Sequence, residues 1–172
     1  MGLADEYYHE NEPTDAQHSA YESLDETTIY YPPLWINPIN GIITSPGGTR
    51  YNPVTGQREF HDGIDIAAPI GTPIVAPKDG TVLATGNSAS FGRYLRMAHA
   101  DGYISFMAHL NGVAVAIGDT VRQGDHVAYS GNTGRSTGPH LHYSLFRDGQ
   151  FVDPIYYVDL PKTANVIAAL SS

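Results

Sequence analysis

Gly138-Pro139-His140-Leu141-His142-Tyr143-Ser144 sets two histidines on either side of a single leucine. Read as a β-strand, the segment sends alternate side chains to opposite faces, so His140 and His142 share one face roughly 6 to 7 Å apart while Leu141 and Tyr143 line the other. One face is then apolar enough to bury, and the other carries two imidazoles. A histidine pair on a strand often does no more than face water. Two imidazoles at this spacing also suit a single small object, and a metal ion is the obvious one, because neutral imidazole is its commonest protein ligand.

Working outward, the same rhythm recurs. From Ile42 onward, apolar stretches are interrupted by Gly, Pro and Asp at intervals of roughly ten residues, the cadence of antiparallel strands and hairpins. The stretches beginning at Pro73, Thr81, Tyr94, Tyr103, Val113, His126 and His142 read as strands. Eighteen glycines, twelve prolines and twelve tyrosines favour a turn-rich β protein over a helical one. With 172 residues, 41% of them hydrophobic, one core is expected and a second full domain is not. The expected fold is therefore mainly β, with helix confined to Asp15 to Leu24 and Ala164 to Leu170. Three parts are expected: an acidic, tyrosine-rich tail over 1–36, a body over 37–160 and a C-terminal extension over 161–172. Pro32-Pro33 marks the end of the tail, and Leu34-Trp35-Ile36 is read as an apolar patch that docks on the body.

The net charge of −9 is not spread evenly. Residues 1–28 hold eight acids, Asp5, Glu6, Glu10, Glu12, Asp15, Glu22, Asp25 and Glu26, and no Lys or Arg. The other 144 residues are nearly neutral, with ten acids and nine bases, so no basic stripe exists for nucleic acid. The tail reads as a solvated, partly disordered leader suited to regulation or to docking on a partner protein. No signal peptide stands near Met1 and no apolar run of 18 residues occurs, so no transmembrane segment is expected in this chain. With no cysteine, disulfides and thiolate metal sites are excluded, and any metal must rest on His, Asp or Glu.

A second constellation is Phe60-His61-Asp62-Gly63-Ile64-Asp65-Ile66. Taken as one extended segment, it places His61, Gly63 and Asp65 on one face and Ile64 and Ile66 on the core side. An imidazole and a carboxylate then look into the same space, with a glycine leaving room between them. Two histidines and one carboxylate make the ligand set of a catalytic zinc, which keeps a fourth position open for water. Combined with the His140/His142 pair, the set has one histidine to spare. His109, in Phe106-Met107-Ala108-His109-Leu110, ends an apolar strand and is a further candidate. His9, His18, His99 and His126 are read as structural or solvated.

His61 with Asp65, Ala108-His109-Leu110 and Ser136 to His142, in that order, resemble the M23 family of lysostaphin-like, or LytM-type, zinc metallopeptidases. The resemblance runs from about residue 38 to 158, through Asn52-Pro53-Val54-Thr55-Gly56, Gly71-Thr72-Pro73, Asp79-Gly80, Gly118-Asp119 and Ser130-Gly131. It implies that His61, Asp65 and His142 ligate one Zn²⁺ and that His109 and His140 flank the metal as catalytic histidines. It further implies a compact antiparallel β fold with a loop-roofed groove and peptides of bacterial peptidoglycan as substrates. The setting implied is extracytoplasmic, with the signal or anchor absent from this chain and an envelope protein as the expected partner of the tail. Asn52 stands where the family often has histidine, outside these five positions. Two other classes compete. The stretch Ala76 to Val82 with Gly118 to Asp125 resembles the repeats of biotinyl or lipoyl carriers, but the matching turn, Ser130 to Arg135, lacks the lysine that a carrier needs. An envelope scaffold that keeps the peptidase shell is the remaining alternative, and hydrolysis of peptidoglycan separates it from an enzyme.

Overall fold

Leu141 and Tyr143, the core side of the opening strand, are fully buried in a computed structural model that describes residues 35–52 and 55–171. The acidic tail, the helix expected near Asp15 and the Pro32-Pro33 boundary lie outside the described residues. The first half of the fold comprises β1 (Ile42–Ser45), β2 (Gly48–Tyr51), β3 (Arg58–His61), β4 (Ile64–Ala67), β5 (Pro73–Val75), β6 (Gly80–Ser88) and β7 (Gly92–His99). The second half adds β8 (Tyr103–Leu110), β9 (Gly112–Val113), β10 (Thr120–Val121), β11 (His126–Tyr129), β12 (His140–Arg147), β13 (Gln150–Val152) and a helix, α1 (Ala164–Leu170). Every pairing between these strands is antiparallel, as the cadence predicts.

The main sheet runs β1-β4-β12-β8-β7-β6-β10, with β13 on the far end of β12; β5-β11-β9 and β2-β3 form two smaller sheets. Register explains why β12 sits at the centre. Tyr143 pairs with Ile64 on one side and Met107 on the other, and Met107 pairs in turn with Leu95. A second row joins Leu141 to Ile66 and Ile66 to Ile43. All seven side chains have no exposed surface, and burying each is worth about 1.5–3 kcal/mol. Since strand side chains alternate, the same register lifts His140, His142 and Asp65 to the opposite face.

The ends of the body are tied to its edges. Trp35 is buried edge-on against the rings of His99, Tyr103 and Tyr157, while Leu34, the first residue of the patch expected to dock, lies outside the described residues. Strand β1 is an edge strand, and the C-terminal segment covers it. Ile43 N donates to Pro161 O, Thr163 N to Ile43 O, and α1 buries Val166. This pairing satisfies backbone groups that would otherwise template a foreign strand.

Two local expectations change. His61 and Asp65 are not on one extended segment: the chain breaks at Asp62-Gly63, leaving His61 on β3 and Asp65 on β4, in different sheets. Of the stretch from Val113, only Val113 joins a strand, because Gly112–Val113 alone pairs with Ala128 and Tyr129.

Candidate metal centre

Asp65 lies opposite His142 in the β4/β12 register, so the two point to the same face. Gly63 lets His61 join them. A Cβ at Gly63 would lie 2.5 Å from Tyr143 O, 2.7 Å from Ser144 Oγ and 2.9 Å from His142 Cε1. Only a residue without a side chain lets the β3–β4 link press so close to β12. His61 Nε2 consequently stands 3.4 Å from Asp65 Oδ1, and His142 Nδ1 stands 3.4 Å from the same oxygen. One ligand atom from each of the three residues lies within 4.8 Å of the others, the one such group among the described residues.

Proton placement makes these atoms acceptors. A carbonyl oxygen can only accept, so His61 Nδ1–H donates to Pro46 O at 2.9 Å and leaves a lone pair on Nε2. His142 uses its other nitrogen outward: Nε2 is 2.9 Å from Ser144 Oγ and 3.2 Å from Asp62 Oδ1, which leaves Nδ1 facing Asp65. Once His142 gives up its proton, two imidazole lone pairs and a carboxylate converge, a donor set that suits a cation. Tetrahedral zinc with bonds of about 2.0–2.2 Å separates its ligand atoms by about 3.3 Å, close to the two 3.4 Å edges. The residues therefore fit the ion that the ligand set implies.

Charge follows the same geometry. Burial opposes ionisation of Asp65, but the His142 and His61 imidazoles beside it outweigh burial and hold the carboxyl well below the usual range in the metal-free protein. Burial likewise opposes the charged form of His142, yet Asp62 and Asp65 prevail and push that imidazole up to about 9. A metal ion must displace that proton, so binding is tied to pH.

His140 and His109 stand beside the trio. His140 Nε2 is 3.6 Å from Asp65 Oδ1, while its Nδ1 donates to Gly138 O at 2.8 Å. The ring of His109 is 4.8 Å from that of His140 and 6.2 Å from that of His142, centre to centre, and its Nδ1 donates to Thr133 O at 2.7 Å. In both rings a backbone carbonyl holds Nδ1, which leaves Nε2 available to the groove. Burial holds His109 below the usual imidazole range, which keeps it neutral at pH 7.

Alternation along β8 does not put His109 here. Ala108 pairs with His142 and shares its face, so a regular strand would turn His109 to the core side. Two residues, Ala108 and His109, instead oppose the single Tyr94 on β7, since Arg93 pairs with Leu110 and Leu95 with Met107. This bulge, with His109 at φ 61°, rotates the imidazole onto the metal face. A left-handed conformation in a non-glycine residue costs about 1–3 kcal/mol, the scale of strain found at functional sites. Sequence reasoning missed this bulge, and it missed Asp62, Ser144 and Thr133 as partners of the histidines. Asp62 and Ser144 lay inside the two motifs and could have been weighed there; the bulge leaves no local mark. His99 and His126 lie elsewhere, His99 buried between Asp79 O and Ser105 Oγ.

Arg50, Asp62, Phe91, Arg135, Ser136 and Thr137 complete an open groove over these five residues. Residues 59–154 match the sequence profile of Peptidase family M23, more than half of the chain. The chain belongs to peptidase family M23. Among its family relatives, the DD-carboxypeptidase/endopeptidase Mpg of Neisseria meningitidis is 42% identical over 113 residues, 66% of this chain and 26% of the relative. Peptidoglycan DD-endopeptidase ShyA of Vibrio cholerae is 39% identical over 117 residues, 68% of this chain and 27% of the relative. The chain thus spans about a quarter of the length of these relatives. A zinc-containing peptidase from Vibrio cholerae superposes with a TM-score of 0.60 at 33% identity, covering 73% of this chain and 41% of that one.

Proposed function

We propose that the chain is a zinc-dependent endopeptidase that cuts peptide bonds in bacterial peptidoglycan, working outside the cytoplasm. The observation that carries this reading is the convergence of His61, Asp65 and His142 with two further imidazoles, His109 and His140, each held at Nδ1 by a backbone carbonyl. The names of the M23 relatives support the substrate class and, with it, the location.

His61 Nε2, Asp65 and His142 Nδ1 would hold one zinc ion per chain. Bound there, zinc would supply Lewis acidity for a scissile carbonyl and a water whose pKa falls toward ~7. His109, neutral because it is buried, is suited to take the proton of the attacking water at Nε2. His140, also with Nε2 inward, is suited to hand a proton to the leaving amine or to steady the developing oxyanion. Thr133 O and Gly138 O hold the two tautomers through the Nδ1–H bonds, so neither imidazole must reorient between cycles. His140 does not serve as a fourth ligand in this reading, since it would take the position that water needs.

Metal content and clearing of purified peptidoglycan, measured on the same preparations, test the division of labour. His140→Ala and His109→Ala should retain zinc and lose at least ~10²-fold in hydrolysis, the low end for removing a general acid or base. His142→Ala should lose both, because two protein ligands hold zinc poorly. A metal-free His140→Ala beside a zinc-loaded His142→Ala would reverse the two roles. Wild-type clearing by all three would end the peptidase reading, and zinc-loaded wild type that clears nothing would favour the scaffold.

A further inference from the structure

Two arginines line the groove, and they differ in what they touch. Arg50 is occupied: its Nε lies 2.8 Å from Glu59 Oε1 and its Nη1 2.6 Å from Ser45 Oγ. The Arg135 side chain is exposed and has no hydrogen bond, ion pair or ring contact among the described residues. An arginine on an open rim would mean little by itself. Arg135, however, is carried on a loop clamped to the catalytic cluster.

The clamps are specific. Arg135 N donates to Ser90 O at 2.9 Å. Thr133 Oγ1 donates to Leu110 O at 2.7 Å and accepts from Arg93 N at 3.1 Å. Thr133 O is the acceptor that orients His109. Gly134 and Gly92, both at positive φ, are packed so closely that a Cβ on either would collide with the backbone of the opposite loop. Arg135 therefore starts from a backbone held in register with His109, two residues beyond the carbonyl that fixes that imidazole. The two carboxylates that line the groove are already engaged, Asp62 with His142 and Asp65 with three histidines.

We infer that Arg135 is a substrate-binding residue that grips a carboxylate next to the scissile bond, which makes the preferred substrate an anionic cross-link rather than a neutral one. This rests on the peptidase reading above. A guanidinium offers paired donors that match a carboxylate fork to fork, and here no group among the described residues uses them. In an amide that joins two D-centres, the carbon bearing the scissile nitrogen carries its own carboxyl group, so a carboxylate stands two bonds from that nitrogen and three from the carbon under attack. Bridges built of glycine offer no such charge beside an internal bond.

Two cross-linked stem peptides test the inference. Both carry a ketomethylene in place of the scissile amide, so neither is cut. They differ only on the carbon after that bond, which bears a carboxylate in one and a carboxamide in the other. Calorimetric titration of the zinc-loaded wild type should show the carboxylate peptide bound about five- to tenfold more tightly, the scale of one charge-assisted pair at an open site. Arg135→Gln should bind both peptides as wild type binds the carboxamide, and Arg135→Lys should keep part of the preference, with zinc content and melting temperature unchanged in both. Equal binding of the two peptides by wild type, or a preference that survives in Arg135→Gln, overturns the inference. Clearing of peptidoglycan by wild type is read separately: a carboxylate preference without clearing removes the peptidase reading and leaves the anion site standing.

Discussion

Gly63→Ala perturbs the metal centre without altering a single ligand. Ordinary contacts to a Cβ begin at about 3.4 Å, whereas an added methyl at Gly63 would sit 2.5 Å from Tyr143 O and 2.9 Å from His142 Cε1. The chain must open by several tenths of an ångström to nearly 1 Å. Strand β12 cannot yield easily, since His142 and Tyr143 are paired to β4 on one side and β8 on the other. The β3–β4 link must move instead, taking His61 with it and stretching the 3.4 Å edge to Asp65. Overpacking of this kind costs about 1–3 kcal/mol. For a body of this size that lowers the melting temperature by roughly 3–10 °C. Displacement of a ligand atom on this scale is expected to weaken zinc binding by about 10- to 100-fold, as loss of a supporting contact does. Thermal melts and competition with a chromophoric chelator read the two effects. Gly112→Ala is the control, because its Cβ would meet only Tyr129 Cδ2, at 3.9 Å. If Gly63→Ala melted within a degree of wild type and held zinc as tightly, the account of how His61 reaches the other ligands would be wrong.

Other expectations concern charge and anchoring. In protein stripped of metal by a chelator, folded His142 keeps its proton up to about 9, against 6.5 unfolded, so the stability it confers is present below pH 6.5 and drains away as pH rises to 9. The melting temperature of stripped protein should fall across that window, and a flat or rising curve would contradict the Asp62 and Asp65 contacts. Asp62→Asn removes the carboxylate behind His142 Nε2 and should cut zinc affinity about 10-fold while Ser144 keeps the ring in place, which equilibrium dialysis measures. A chain beginning at Pro32 should melt within a few degrees of the full chain, whereas Trp35→Ala should lose about 3–5 kcal/mol in urea unfolding. A truncated chain that melts ten degrees lower would show that the tail belongs to the packed structure.

Alternation within a strand is a local property, and what depended on it was legible in the sequence. His140 and His142 fall on one face of β12, Ile64 and Ile66 on the core side of β4, and α1 falls where Ala164 to Leu170 was read as helical. The spacing of Gly, Pro and Asp likewise announced an antiparallel β fold, and the order of the motifs carried the family resemblance. Tertiary structure decided the rest. His109 reaches the metal face only because β8 bulges against β7, a mismatch that involves two strands and appears in neither alone. Asp62-Gly63 reads as part of one extended segment, yet the link breaks there because β3 pairs with β2 while β4 pairs with β1 and β12. Which nitrogen of His142 turns inward was settled by Ser144 Oγ and Asp62, and the orientation of His109 by a carbonyl 24 residues away. Facing is written along one strand, whereas register and hydrogen-bond partners arise only when distant segments meet.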